Sequence, residues 1–167
     1  MSMPVSEKNF LEKLASHIPG IAGYREREAR RDTDRRLREF LAKRLEEGRA
    51  ALNPARDAAT SSGDMAALQA IGRIDRTVQK SIAALRFANA GYGGTFDQLK
   101  IREPELDAIY AYDAALTSDV VALAERLAAA GAGASAAATL GELATAAEGI
   151  DAKITRRREV LEKPTGV

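Results

Sequence analysis

The side chains best equipped for chemistry are clustered arginines, a few tyrosines and two misplaced carboxylates. Arg27, Arg31, Arg35 and Arg38 recur at spacings of four, four and three, so on a helix they share one face. Planar guanidinium forks suit phosphate and carboxylate groups, which makes the Arg25–Arg38 stripe a candidate anion-binding surface. Acids are interleaved with it: Arg30 has Asp34, Asp32 has Arg36 and Arg35 has Glu39 four residues away. The same stretch therefore also reads as a solvated helix laced with local ion pairs.

Asp75 lies between Ile71 and Val78, and Asp113 between Ile109 and Leu116, both at apolar seam positions. A carboxylate there is costly unless it is paired. Arg157, between Ile154 and Leu161, is the matching oddity, and a partly buried Asp113–Arg157 pair that fixes helix register is expected. The alternative chemistry is a general acid or base at Asp113, in a pocket shared with Tyr110. The sequence assigns Asp75 no partner.

Other chemistries lack their residues. There is no Cys, hence no thiolate and no Cys-ligated metal. The one histidine, His17, stands outside the long helical segments, so the Glu-x-x-His pattern of di-metal bundles is missing. No nucleophile-elbow motif accompanies it. Gly91-x-Gly93-Gly94 follows a helical pattern rather than a strand and reads as a chain reversal, not a dinucleotide fingerprint. Glu103, Glu105, Asp107 and Asp113 spread around a helix and complement its N-terminal dipole better than they would hold a cation. No catalytic residue, metal or cofactor is expected, and a small-ligand binder or enzyme using a pocket near Asp113 and Tyr110 is the second reading.

Long helices must position these residues. The 167 residues are 46% hydrophobic and 29% charged but only 5% aromatic, and alanine, the best helix former, supplies much of the apolar share. A short amphipathic helix is expected over Ser6–Ser16, ended by the His17–Gly23 loop with its Pro and two Gly. A long helix follows from Tyr24 to Ala59, with a kink at Asn53-Pro54. Thr60–Asp64 forms a turn with capping residues ready. A second helix runs to about Ala90, and a third opens at Pro104 and stops at Gly131. Thr139-Leu140-Gly141-Glu142 has capping-box spacing and opens a fourth. Residues 1–23 are thus a short helix and loop, and 24–163 four long helices, in one domain spanning 1–167. The fold class is all-α: an elongated antiparallel up-down-up-down four-helix bundle with a short N-terminal helix.

In such a bundle, residues equidistant from a connecting loop lie at one level. With turns at Ser61–Ser62, Gly94 and Ser135, Tyr24, Tyr92, Tyr110 and Tyr112 fall at one end. His17, the Gly-rich loop, the start of the Arg stripe and Arg156-Arg157-Arg158 fall there too. The opposite end has only Ser, Gly and Ala in its turns and reads as plain scaffold. Candidate binding residues are accordingly Tyr24, Arg27, Arg31, Arg35, Tyr92, Tyr110, Asp113 and Arg157.

The net charge of +1 hides an asymmetry: Glu103–Asp151 carries nine acids against Arg126 alone. Acidic helices neutralising basic ones within the bundle explain this, and a basic face meeting an anionic partner is the alternative. A weak nucleic-acid binder using the Arg25–Arg38 stripe is a further alternative, which the near-neutral total and interleaved acids weigh against. Phe10, Leu11, Leu14 and the Ile18–Ile21 loop offer a small apolar anchor for peripheral membrane contact, or a cover for the bundle end. The Ala/Gly run Ala128–Ala138 is too short and too weakly apolar to span a bilayer. Met1–Phe10 carries Glu7 and no apolar h-region, so a cytoplasmic location is expected.

Ile18-Pro19-Gly20-Ile21-Ala22-Gly23-Tyr24, followed by Arg27-Glu28 and Arg30-Arg31-x-x-Asp34, resembles the opening of a family of small helical bacterial proteins. Gly91-Tyr92-Gly93-Gly94-Thr95-Phe96-Asp97 and Leu106-x-x-x-Tyr110-x-x-Asp113 are similar to later parts of it. That family is loosely associated with band-7-like membrane-scaffold systems. The resemblance implies an interaction or adaptor role and no particular reaction. The leading expectation is a non-enzymatic helical module that engages a protein partner, a second copy or an anionic partner through its Tyr/Arg end.

Overall fold

Ala and Leu at helical spacing dominate the chain, and helix is the only regular structure among the described residues. The structure, a computed structural model, describes Glu12 and residues 15–18, 27–88, 103–133 and 136–162. Of residues 27–31, 103–107 and 158–162 the backbone alone is described. The helices are α1 (Arg27–Ala51), α2 (Asn53–Ser62), α3 (Met65–Phe87), α4 (Glu103–Gly131) and α5 (Ala137–Glu162). Glu12 and residues 15–17 are also helical, within or beside the expected N-terminal helix. With α1 and α2 forming one kinked rod, the chain is an up-down-up-down four-helix bundle.

Local chemistry sets the boundaries. The rod breaks at Leu52, whose N–H bonds back three residues to Arg49 O at 3.2 Å. Pro54 then sits in the first turn of α2, where its missing donor costs nothing. Gly63, at φ 71°, ends α2 in the left-handed conformation that glycine adopts without strain. Asp64 N–H reaches back to Ala59 O at 2.9 Å and closes a Schellman-type end. The Asp64 carboxylate then accepts from Ala67 N–H at 3.0 Å and caps α3. Thr60 to Ser62 stay helical, so this turn is tighter than the sequence suggested. The expected capping box at Thr139 is not used. α5 begins at Ala137, with Leu140 N–H bonded to Ala136 O at 3.1 Å. The alanines before Thr139 are better helix formers, and Ala137 gains packing against the core.

Leu37, Leu41 and Leu45 from α1 join Ile71, Ile74 and Leu85 from α3 in the core, and Leu52, Leu116, Leu127 and Leu140 complete the most deeply buried large side chains. Asp75 is not in this seam. Ile74 takes the seam position, fully buried, and Asp75 is turned 100° to the side.

Successive long helices alternate in direction, yet sequence order does not set adjacency. α1 packs antiparallel against α3 and parallel against α4, while α5 packs parallel to α3 and antiparallel to α4. The parallel contacts have separate causes. Gly48 lies against Ala124, and Gly131 against Ala51, bringing α1 and α4 to backbone contact. Arg73 bonds Glu148 at 2.8 Å and Lys80 bonds Asp151 at 2.7 Å, so basic α3 is matched to the acidic first part of α5. This is the intramolecular neutralisation that the charge asymmetry suggested. No helix among the described residues is long and apolar enough to cross a membrane.

Candidate functional site

Asp113 and Arg157 meet. Arg157 Nε donates to Asp113 Oδ1 at 2.6 Å, and Nη2 donates to Oδ2 at 3.0 Å, a two-pronged charge-assisted pair. Asp113 has no exposed surface at all, and Arg157 is 5% exposed, so the pair is wholly rather than partly buried.

Two further charges join it. Asp34, 4% exposed, lies on α1 with its Oδ1 2.8 Å from Arg157 Nη2. That approach is ionic only: Asp34 Oδ1 receives no aligned hydrogen bond. Arg38 Nε donates to Asp34 Oδ2 at 2.9 Å, and its Nη1 to Leu85 O at 2.8 Å. Leu85 O belongs to the last turn of α3, where carbonyls lack helical partners and a cation complements the dipole. Two carboxylates and two guanidiniums thus form a neutral buried tetrad that ties α1, α3, α4 and α5 at one level. Thr33, Tyr110 and Thr117 are buried in the same stretch of the helices, and Thr117 Oγ1 donates to Asp113 O at 2.7 Å.

Arg38 therefore corrects the proposed surface stripe. It stands one helical step from Arg35 but turns inward, because Asp34 and the end of α3 offer it acceptors. Arg35 stays exposed and bonds Glu39 at 2.9 Å, which raises its already high pKa. Arg36 bonds Asp32 at 2.6 Å. The expected Arg30–Asp34 pair lies outside the described side chains; Asp34 is committed to Arg38 and Arg157. Arg27 and Arg31 are helical, with only their backbone described, and Tyr24 and Tyr92 lie outside the described residues.

Tyr110 is 2% exposed, a core residue of α4 one turn before Asp113. The space beside the tetrad is about 30 Å³, lined by Arg38, Leu85, Ala88, Ile154, Thr155 and Arg157. That leaves room for water rather than for a metabolite. Among the described residues no group of three or more His, Asp or Glu is placed to hold a metal ion.

His17 and Ile18 cover part of this end. Ile18 is buried with the core, and the His17 ring meets Phe40 edge-on at 6.1 Å. Arg44 lies over the Phe40 ring at 5.5 Å, a cation–π contact.

Asp75 does find partners. Arg49 Nε bonds it at 3.2 Å and Arg56 Nη2 closes on the other oxygen, so one carboxylate staples both sides of the α1–α2 kink to α3. The turn at Ser61–Ser62 puts Arg49 almost level with Asp75, and seven residues separate Arg49 from Arg56, two turns along one face. That signal was in the sequence and was missed.

Tyr112 is half-buried, and its O–H donates to Lys153 O at 2.8 Å. Burial pushes its phenol pKa up, with Arg156 and Lys153 opposing. A raised folded value means that the unfolded chain loses this proton first. The contribution to stability is whole below about pH 10 and is lost as pH rises through the folded value. An absorbance titration of Tyr112→Phe against wild type should delete a phenolate step lying above that of the denatured protein. A deleted step at or below the denatured value contradicts the assignment.

The site is thus a closed ionic layer beneath one end of the bundle, with α1 arginines exposed beside it; comparison with known protein families, curated proteins and solved structures finds no match for this chain.

Proposed function

We propose that this is a non-enzymatic, cytoplasmic interaction or adaptor protein that engages a protein or anionic partner through the Tyr/Arg end of its bundle. The observation that carries this reading is the state of Asp113. Both its oxygens are held by Arg157, it has no exposed surface, and the described space beside it is only about 30 Å³. A general acid or base needs reach to a substrate proton, and among the described residues Asp113 is closed off from one. Arg35 and Arg36 on α1 face solvent at the same end and are the groups a partner would meet. The absence of Cys fits a reducing compartment.

Co-purification from the native host tests the reading, with wild type compared against Arg27→Glu/Arg31→Glu. The exposed Arg126→Glu, near the far end of α4, serves as a control. The expected result is at least a tenfold loss of the partners recovered by wild type in the double variant alone. Equal recovery by all three proteins sinks the Tyr/Arg end as the site.

A further inference from the structure

We propose that Arg49, Arg56 and Arg76, gathered about Asp75 beside the α1–α2 kink, form a binding site for a small phosphate ligand, either inorganic phosphate or a soluble phosphate monoester. The site lies on the flank of the bundle and does not depend on the reading proposed for the Tyr/Arg end. Asp75 stands at its centre. Arg49 Nε donates to Asp75 Oδ1 at 3.2 Å, and Arg56 Nη2 donates to Oδ2. Arg76 is the next residue along α3, one 100° step further round the helix. Its guanidinium folds back over Gly72, with Nη1 3.5 Å from where a Cβ would stand.

Charge and donors are both in excess there. Glu46 is bonded to Arg86 at 2.7 Å. Even with Asp57, the one carboxylate of α2, counted beside Asp75, three guanidiniums meet two carboxylates. The Nη groups of Arg49 and the whole Arg76 fork make no hydrogen bond or ion pair among the described residues. A phosphate monoester brings three acceptor oxygens and about two negative charges near neutral pH, which guanidinium forks bind two-pronged. Asp75 does not oppose it, because both its oxygens are taken up by arginines. Instead it holds Arg49 and Arg56 in place before a ligand arrives, which lowers the ordering cost of binding. The Arg49 and Arg56 side chains are 37% and 34% exposed, so a ligand reaches them from solvent while they stay partly shielded from water. A carboxylate ligand is the poorer fit, with one charge and two oxygens.

Arginine Nε–Hε correlation spectra of the full chain at constant ionic strength test the site. Inorganic phosphate should shift the Arg49 and Arg76 signals saturably, and chloride should not. Acetate should bind about tenfold more weakly than phosphate, for want of one charge-assisted hydrogen bond. Arg76→Gln, which loses no internal partner, should weaken phosphate binding by about the same factor. Arg126→Gln, on the exposed side of α4, should bind as wild type. Vesicles bearing phosphatidate separate a lipid headgroup from a free phosphate. Shifts with vesicles but none with inorganic phosphate overturn the proposal. So does a response to phosphate no different from that to chloride or acetate, or phosphate binding that Arg76→Gln leaves unchanged.

Discussion

Arg157→Met is expected to lower the unfolding free energy by about 3–5 kcal/mol, the cost of leaving a buried charge without its partner. The reason lies in what remains. Asp113 would lose the two-pronged bond that holds both its buried oxygens, and Asp34 would keep Arg38 but lose its contact with Arg157. Urea denaturation measures the loss directly. The double variant Arg157→Met/Asp113→Leu should recover most of it, since removing both charges restores a neutral layer and leaves Asp34 paired with Arg38. Recovery in the double variant separates an ion-pair effect from lost packing by the Arg157 stem. If Arg157→Met changes stability by less than about 1 kcal/mol, the range of exposed pairs, then the tetrad is not buried in solution.

The second large effect is at the opposite end. Gly131→Ala should destabilise by about 3 kcal/mol, the upper range of overpacking costs. A Cβ at Gly131 would lie 1.7 Å from Ala51 O and 2.7 Å from Ala51 C, which are backbone atoms and cannot swing aside. The ends of α1 and α4 would have to separate. Gly149→Ala is the matched control, for a Cβ there meets nothing within 4 Å. Lying inside α5, it should stabilise by roughly 0.5–1 kcal/mol through helix propensity. Thermal unfolding of the two variants should therefore shift in opposite directions. A neutral Gly131→Ala would show that α1 and α4 do not approach so closely.

These two sites bear differently on what the chain discloses. Asp113 and Arg157 announce themselves as charges inside apolar periodicity, and equidistance from the α4–α5 turn brings them together. The same ruler, applied from the turn at Ser61–Ser62, sets Arg38 level with Leu85 and Arg49 nearly level with Asp75. Level alone, however, says nothing of azimuth. A helix turns 100° per residue, so Arg35 and Arg38 stand close on the helix yet one is solvated and the other is core. Asp75 was misread for the same reason, since either Ile74 or Asp75 completes a heptad with Ile71 and Val78. The plain end was also underestimated. Its glycines carry no charge or aromatic signal, and only the approach of a second backbone makes them irreplaceable.

The arginines and carboxylates with which the chain first drew attention divide along this line. By itself the sequence determined the helices, their alternation in direction and the level at which Asp113 faces Arg157. Those depend on contacts three and four residues apart and on short connections, both local in the chain. Only the tertiary structure decided that α1 lies beside α4 and α3 beside α5, that Asp34 and Arg38 turn inward to complete a tetrad, and that Asp75 is shared by two arginines. Apolar seams of Leu, Ile and Ala are interchangeable between helices. The choice of neighbour rests instead on glycine contacts and cross-helix charge pairs, whose partners lie tens of residues apart and share no local pattern.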